Sequence, residues 1–334
     1  MKFFVSTNFK KQENSFGCVA HKDEILICGR AWYSYHTVKQ KYKLVCYYPQ
    51  YITTTESVVK IINNNDSNDV TLLSFGQGNG GKHILIMKYV SVWDEEKYIS
   101  QDNNQWIEFT DKQNKPVILE KLDSYSKPRA LIGGSNNNLL FITYEPNNIS
   151  VLDLNTCEYV NHSKLPINGN SCFVLRTANK INEMVLFCKK AGLSIKYDED
   201  KNKLTCKDLP VCDDVAGFSG YAYVHVNNCI LFFGGLLNYS EYSNSVYKYS
   251  IKEKKWTTFK PTLPFKTAAS AAILSEDNKW VHVMCGEAHI KTRVEEWMNK
   301  KEKEELQMKE DDNVVNMNCN LLYYLAKQNE NKID

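Results

Sequence analysis

The sequence predicts an all-β fold, a six-bladed β-propeller with a short charged tail, and three observations lead to it. A short apolar run recurs along the 334 residues as ILICGR (Ile25–Arg30), LLSFGQ (Leu72–Gln77), LFITYE (Leu140–Glu145), VLFCKK (Val185–Lys190), ILFFGG (Ile230–Gly235) and VHVMCGE (Val281–Glu287). A strand-like segment stands before each run across a polar turn, and further alternating residues follow most of them. Each unit thus holds three or four strands in about 40–70 residues, the period of propeller blades.

The elements can be taken in order. The segments before the runs are FGCVA, SVVKII, PRALI, SCFVLR, YAYVHV and SAAIL. The turns that join them to the runs are HKDE, NNNDSND, GSNNN, TANKINE, NN and SEDNK, rich in residues that tolerate positive φ and bond to their own backbone. Behind the runs, bulky residues recur with six residues between them: Tyr35 and Tyr42, Leu152 and Tyr159, Tyr197 and Leu204, Tyr249 and Trp256. The second unit has Trp93 and Trp106, with EEKYISQDNNQ lengthening the gap. Leu-Pro closes three units, at Leu165-Pro166, Leu209-Pro210 and Leu263-Pro264.

The sixth unit offers SAAIL, WVHVMCG and KTRVEEW, with no outer strand after them. The N-terminal FFVSTNF precedes the first unit where an outer strand would lie. It is expected to complete the last blade, closing the ring and removing an exposed sheet edge.

The fifth unit, Cys229–Pro264, resembles one kelch repeat: apolar run, Gly234-Gly235, a strand ending at Tyr249, Trp256, and a closing Leu-Pro. The resemblance extends over roughly Phe3 to Trp297 as degenerate copies, with the glycine pair single in three units and absent in two. It implies a kelch-type propeller over residues 1–297. Residues 298–334 are expected to form a helical or disordered tail. VEEWMNKKEKEELQMKEDD is rich in helix formers and places Val294, Trp297 and Met298 on one stripe.

Composition narrows the function classes. A formal charge of +2 gives no electrostatic footprint for nucleic acid or an anionic membrane. Phe3–Val5 is too short for a secretory apolar core, and no window approaches the roughly 18 apolar residues of a membrane span. A cytoplasmic, intracellular setting is expected. The 11 cysteines include no CxxC pair and read as reduced thiols inside strands.

Catalytic patterns do not survive inspection. GQGNGGKH (Gly76–His83) fits a phosphate-binding loop in outline, but His83 stands where a hydroxyl should reach a metal. HILIMKYVSVW then continues as strand, so no helix N-terminus faces an anion. The loop reads as a structural turn. Asp213-Asp214 reads as a polar turn between blades. The seven histidines show no metal spacing such as HExxH, the separation of His282 and His289 along the chain decides nothing about that pair, and no catalytic residue, metal or cofactor is expected.

The loops after the apolar runs, which the resemblance gathers at one end of the ring, hold the candidate contact residues. They are Arg30, Trp32, Tyr33, Lys82, His83, Asn147, Asn148, Lys189, Lys190, Tyr239, Glu241, Tyr242 and His289. Aromatic and basic side chains on rigid loops make a protein-binding surface. The expectation is a non-catalytic scaffold or adaptor that binds a protein partner through that end. The rivals are an enzyme of the kelch superfamily, an oxidase or sugar-modifying type, and a cytoskeletal, actin-binding protein.

Overall fold

The computed structural model describes residues 3–6, 17–29, 31–50, 52–61, 70–78, 81–94, 103–117, 128–169, 172–176, 182–237, 241–268, 271–285 and 288–308. Each recurring apolar run becomes the second strand of a four-stranded antiparallel sheet, and there are six such blades. Strands are labelled a to d from the inside of the ring outwards. Blade 1 holds Gly17–His21, Glu24–Cys28, Ala31–His36 and Lys41–Tyr47. Blade 2 holds Ile52–Ile61, Val70–Gly78, Gly81–Tyr89 and Ile107–Glu108. Blade 3 holds Arg129–Gly133, Leu139–Tyr144, Asn148–Asp153 and Glu158–Lys164, and blade 4 Cys172–Leu175, Glu183–Cys188, Ala191–Asp198 and Lys203–Leu209. Blade 5 holds Ala222–Val226, Cys229–Phe233, Val246–Ser250 and Lys255–Thr258. Blade 6 holds Ala271–Leu274, Trp280–Cys285, Ala288–Arg293 and, as strand d, Phe4–Ser6.

The b strands are apolar without alternation because both faces of each are covered by neighbouring blades, as in sheets buried on both sides. Every residue of Leu139–Tyr144 and of Cys229–Phe233 is buried. The d strands face water on their outer edge and alternate, as Lys203–Leu209 does. Strands a of blades 1 to 4 adjoin in order, and strand a of blade 6 adjoins those of blades 5 and 1, which closes the ring.

The six-residue gap has a direct structural meaning. Across the c–d hairpins Tyr35 stands opposite Tyr42, Leu152 opposite Tyr159, Tyr197 opposite Leu204, and Tyr249 opposite Trp256. Directly opposed pairs are the unit of sheet stabilisation. Blade 2 departs from the expectation: Ile86 and Leu85 pair with Ile107 and Glu108, so Trp93 lies beyond strand c. The long insertion gives Trp93 another partner, and its indole N–H donates to Ser34 Oγ in blade 1 at 2.9 Å.

The N-terminal strand closes blade 6 as expected, with Phe4, Val5 and Ser6 opposite Lys291, Ile290 and His289. Strand c of that blade ends at Arg293, so the expected KTRVEEW strand is shorter. Val294–Trp297 turns into a 3-10 helix instead.

The chain divides into two units, Met1–Thr292 and Arg293–Asp334. In the second unit, residues 300–308 are helical. Asn299 Oδ1 accepts from the Glu302 N–H and Glu302 Oε2 accepts from the Asn299 N–H, a reciprocal cap that fixes the helix start. Val294, Trp297 and Met298 are all buried, as their spacing predicts.

Candidate functional site

Strands alternate in direction from a to d, so the b–c turns and the d-to-a connections fall at one end of the ring. Residues 29–30, 79–80, 145–147, 189–190, 234–245 and 286–287 make the six b–c connections. Only that of blade 5 is long.

The short turns correct several expected contact residues. Trp32, Tyr33, Lys82, His83 and His289 are strand residues, not loop residues, because the strand resumes at Ala31, Gly81 and Ala288. Gly78 pairs with Gly81, so the glycine-rich GQGNGGKH is a hairpin, as expected, with Lys82 opposite Gln77 and His83 opposite Gly76. Trp32 is wholly buried against Tyr48 and Trp106 in the seam between blades 1 and 2. It fills the core and offers nothing to a partner.

Asn147 is also structural. Its carbonyl accepts from the Leu165 N–H at 2.6 Å, and its side-chain amide donates to the Leu165 carbonyl at 3.0 Å. Asn244 clamps Leu263 in the same two-way manner, at 2.8 and 3.2 Å. The Leu of these two Leu-Pro pairs is thereby held inward, and Leu165 and Leu263 are buried. Asn148 donates to the Glu145 carbonyl within its own turn.

What remains at this end is a turn and a small added sheet. Lys189 and Lys190 are exposed at the tip of the blade 4 hairpin, Lys189 with a positive φ of 36°. At the same end Phe218–Ser219, Leu236–Leu237 and Glu241–Tyr242 form a three-stranded sheet outside the six blades. It rests on a glycine that nothing else can replace: Gly234 has φ 64°, and a Cβ there would stand 2.6 Å from the Thr267 carbonyl oxygen. The Gly235 N–H donates to that same carbonyl, and the Thr267 N–H donates to Ser243. Tyr242 is thereby held 55% exposed, with Glu241 exposed beside it. Arg30 and Tyr239 lie outside the described residues. Asp213 and Asp214 form a turn at this end, and Asp214 accepts from the Thr258 hydroxyl at 2.9 Å.

A second group of chemistry-bearing residues was not apparent from spacing. Folding the blade 6 hairpin about 286–287 brings His282 and His289 together, with Nδ1 of the first 2.8 Å from Nε2 of the second. The Tyr42 hydroxyl of blade 1 lies 2.6 Å from His289 Nδ1. The Tyr35 ring stands edge-on to His289 at 4.6 Å. Cys18 Sγ meets Met284 Sδ at 3.4 Å. Both histidines are buried, and His282 Nε2 has no hydrogen-bond partner. Burial, then the Lys291 ammonium, holds His289 well below the usual imidazole range, at about 4. Burial, His289 and Lys291 push His282 lower still. Burial pushes the Tyr42 phenol up. Among the described residues no three His, Cys, Asp or Glu side chains are arranged to hold a metal ion, and the ten described cysteines are all free.

Comparison with known proteins agrees with the architecture. Residues 217–262, the fifth blade with its glycine pair, match the kelch motif. No curated protein matches the chain in sequence. Among solved structures, a luciferin-regenerating enzyme is similar with a TM-score of 0.58 at 9% identity, covering 88% of this chain and 96% of its own. YjhT is similar with a TM-score of 0.55 at 13% identity, covering 86% and 96%. An auxiliary nutrient binding protein from Bacteroides ovatus gives 0.55 at 11%, covering 86% and 76%. At these identities the likeness is one of fold.

Proposed function

We propose that this chain, a six-bladed propeller of the kelch type, is a non-catalytic protein-interaction module that binds its partner at the b–c end, over blades 4 and 5. The observation that carries the reading is the added sheet of blade 5. It builds on a backbone only glycine permits, and it holds Tyr242 half in water at the same end of the ring as the exposed Lys189–Lys190 turn. Tyrosine is among the residues that dominate binding energy at protein interfaces. A sheet rather than a loose loop presents them with little ordering entropy left to lose.

The fold itself serves several chemistries, and an enzyme and a nutrient-binding protein share it. The test therefore separates the readings. Partners captured by the wild type would be compared with those captured by Tyr242→Ser combined with Lys189→Glu and Lys190→Glu. All three sites are on the surface, so stability should move by less than about 0.5 kcal/mol each. A partner retained by wild type and lost by the variant is the expected result, with affinity reduced at least tenfold. Equal capture by both overturns the assignment of the face. Stoichiometric metal by elemental analysis would instead favour the enzymatic reading.

A further inference from the structure

The seam that closes the ring holds a buried pair of histidines. Blades 3 and 4 meet through Leu139, Phe141, Ile149, Val151, Leu186, Leu193, Ile195 and Tyr197, with no histidine among them. Blades 6 and 1 meet through Ile25, Ile27 and Met284, and beside them through Tyr35, Tyr42, Cys18, His282 and His289. Hydrogen bonds link Tyr42 to His289 and His289 to His282, and the line stops at His282 Nε2, which has no partner.

That geometry has room for a fixed number of protons. The 2.8 Å gap between the two rings takes one. If both rings were charged, two N–H groups would face each other across it. If His282 alone were charged, its Nε2–H would be a buried cationic donor with no acceptor, which is strongly unfavourable. The groups that face the pair offer no relief. From blade 1 they are Cys18, Tyr35 and Tyr42, from blade 6 Met284 and the Lys291 ammonium, and among the described residues no carboxylate acts on either ring. His289 also stands in strand register with Ser6, the last residue of the N-terminal strand. That strand is three residues long, with Phe4 and Val5 about half exposed.

We propose that the closure seam is an acid-released latch on the N-terminal strand. Proton uptake by the His282–His289 pair parts blades 6 and 1, frees Phe4–Ser6 from Ala288–Arg293, and leaves the outer edge of blade 6 open to another strand. The sign follows from linkage. Closed, the rings stay neutral; opened to water, each titrates near 6.5, so opening takes up protons only below that pH. Above it the latch is indifferent to pH. Well below pH 6.5 each proton taken up multiplies the opening equilibrium by about 10 per pH unit, so two give about 10³-fold at pH 5 relative to the neutral plateau.

Amide hydrogen exchange on the full chain tests it, read as protection after correction for the intrinsic pH dependence of exchange. Protection of Phe4–Ser6 and Ala288–Arg293 should be constant from pH 8 to 7 and fall by up to about 10³-fold by pH 5. Protection of Leu139–Tyr144 and Glu183–Cys188 should hold over the same range. The double variant His282→Phe, His289→Gln should lose the acid dependence of the first two segments. A wild type whose seam ignores pH, or whose blades 3 and 4 open together with it, overturns the proposal. That comparison is internal to the wild type and stands even if the variant does not fold.

Discussion

The seam between blades 3 and 4 and the seam between blades 6 and 1 do the same mechanical job with different chemistry. The first joins two blades that are continuous in sequence, and it is mostly aliphatic, with Phe141, Phe173 and Tyr197 among its buried residues and no histidine. The second joins the two ends of the ring and carries two histidines, two tyrosines and a cysteine. A dry aliphatic seam gains about 25 cal/mol for each Å² removed from water and is indifferent to pH. A polar seam stabilises only while every buried group keeps a partner, and one ring nitrogen here has none. The two joints are thus unequal in chemistry.

Two substitutions and one truncation would widen or erase that contrast. The largest effect is expected at the aliphatic seam. Leu186 is wholly buried, and Leu186→Ala should lower stability by about 2–5 kcal/mol in denaturant melts, at all pH values alike. A loss below about 1 kcal/mol would mean that this seam is no tighter than its counterpart. Next comes removal of Met1–Asn8, which takes the outer strand off blade 6. Phe4 and Val5 are only half-buried, so the loss should be about 2 kcal/mol and Tm should fall by about 5 °C. A truncated chain that melts with the full one would show that the strand closes nothing. The smallest effect is expected for His282→Phe at pH 7. It removes one unpartnered ring nitrogen and leaves another, Nε2 of His289, so stability should change by less than about 1 kcal/mol. A loss as large as that of Leu186→Ala would make the histidine pair a structural keystone and the contrast false.

The architecture was legible because it rests on repetition. The apolar runs locate the b strands, and the six-residue gap turned out to be the register of the c–d hairpin, from Tyr35 and Tyr42 to Tyr249 and Trp256. Even the contribution of the N-terminal strand could be read, since one blade lacked an outer strand and one segment was left over. The site was less legible for a geometrical reason. Where a hairpin turns in two residues, the second residue past the glycine already belongs to the next strand. Trp32 therefore points into a seam and His289 into another, though each follows a turn by one or two positions. Asn147 looks like a loop contact in sequence, but its hydrogen bonds tie down Leu165. Nor could spacing show that His282 and His289 meet, because that depends on how the hairpin between them closes.

The strand that completes blade 6 also sets a timetable. Ser6 pairs with His289, so 283 residues (289 − 6) must be translated after the strand before its partner exists. At about 5–20 residues per second, that is a wait of roughly 15–60 s on the ribosome. During it, Phe4 and Val5 form an unpaired, apolar edge, while blades 1 to 5 can assemble from neighbouring sequence as it emerges. Completion of the ring therefore waits for strand c of blade 6, and the first strand of the ring to be made is the last to find its place.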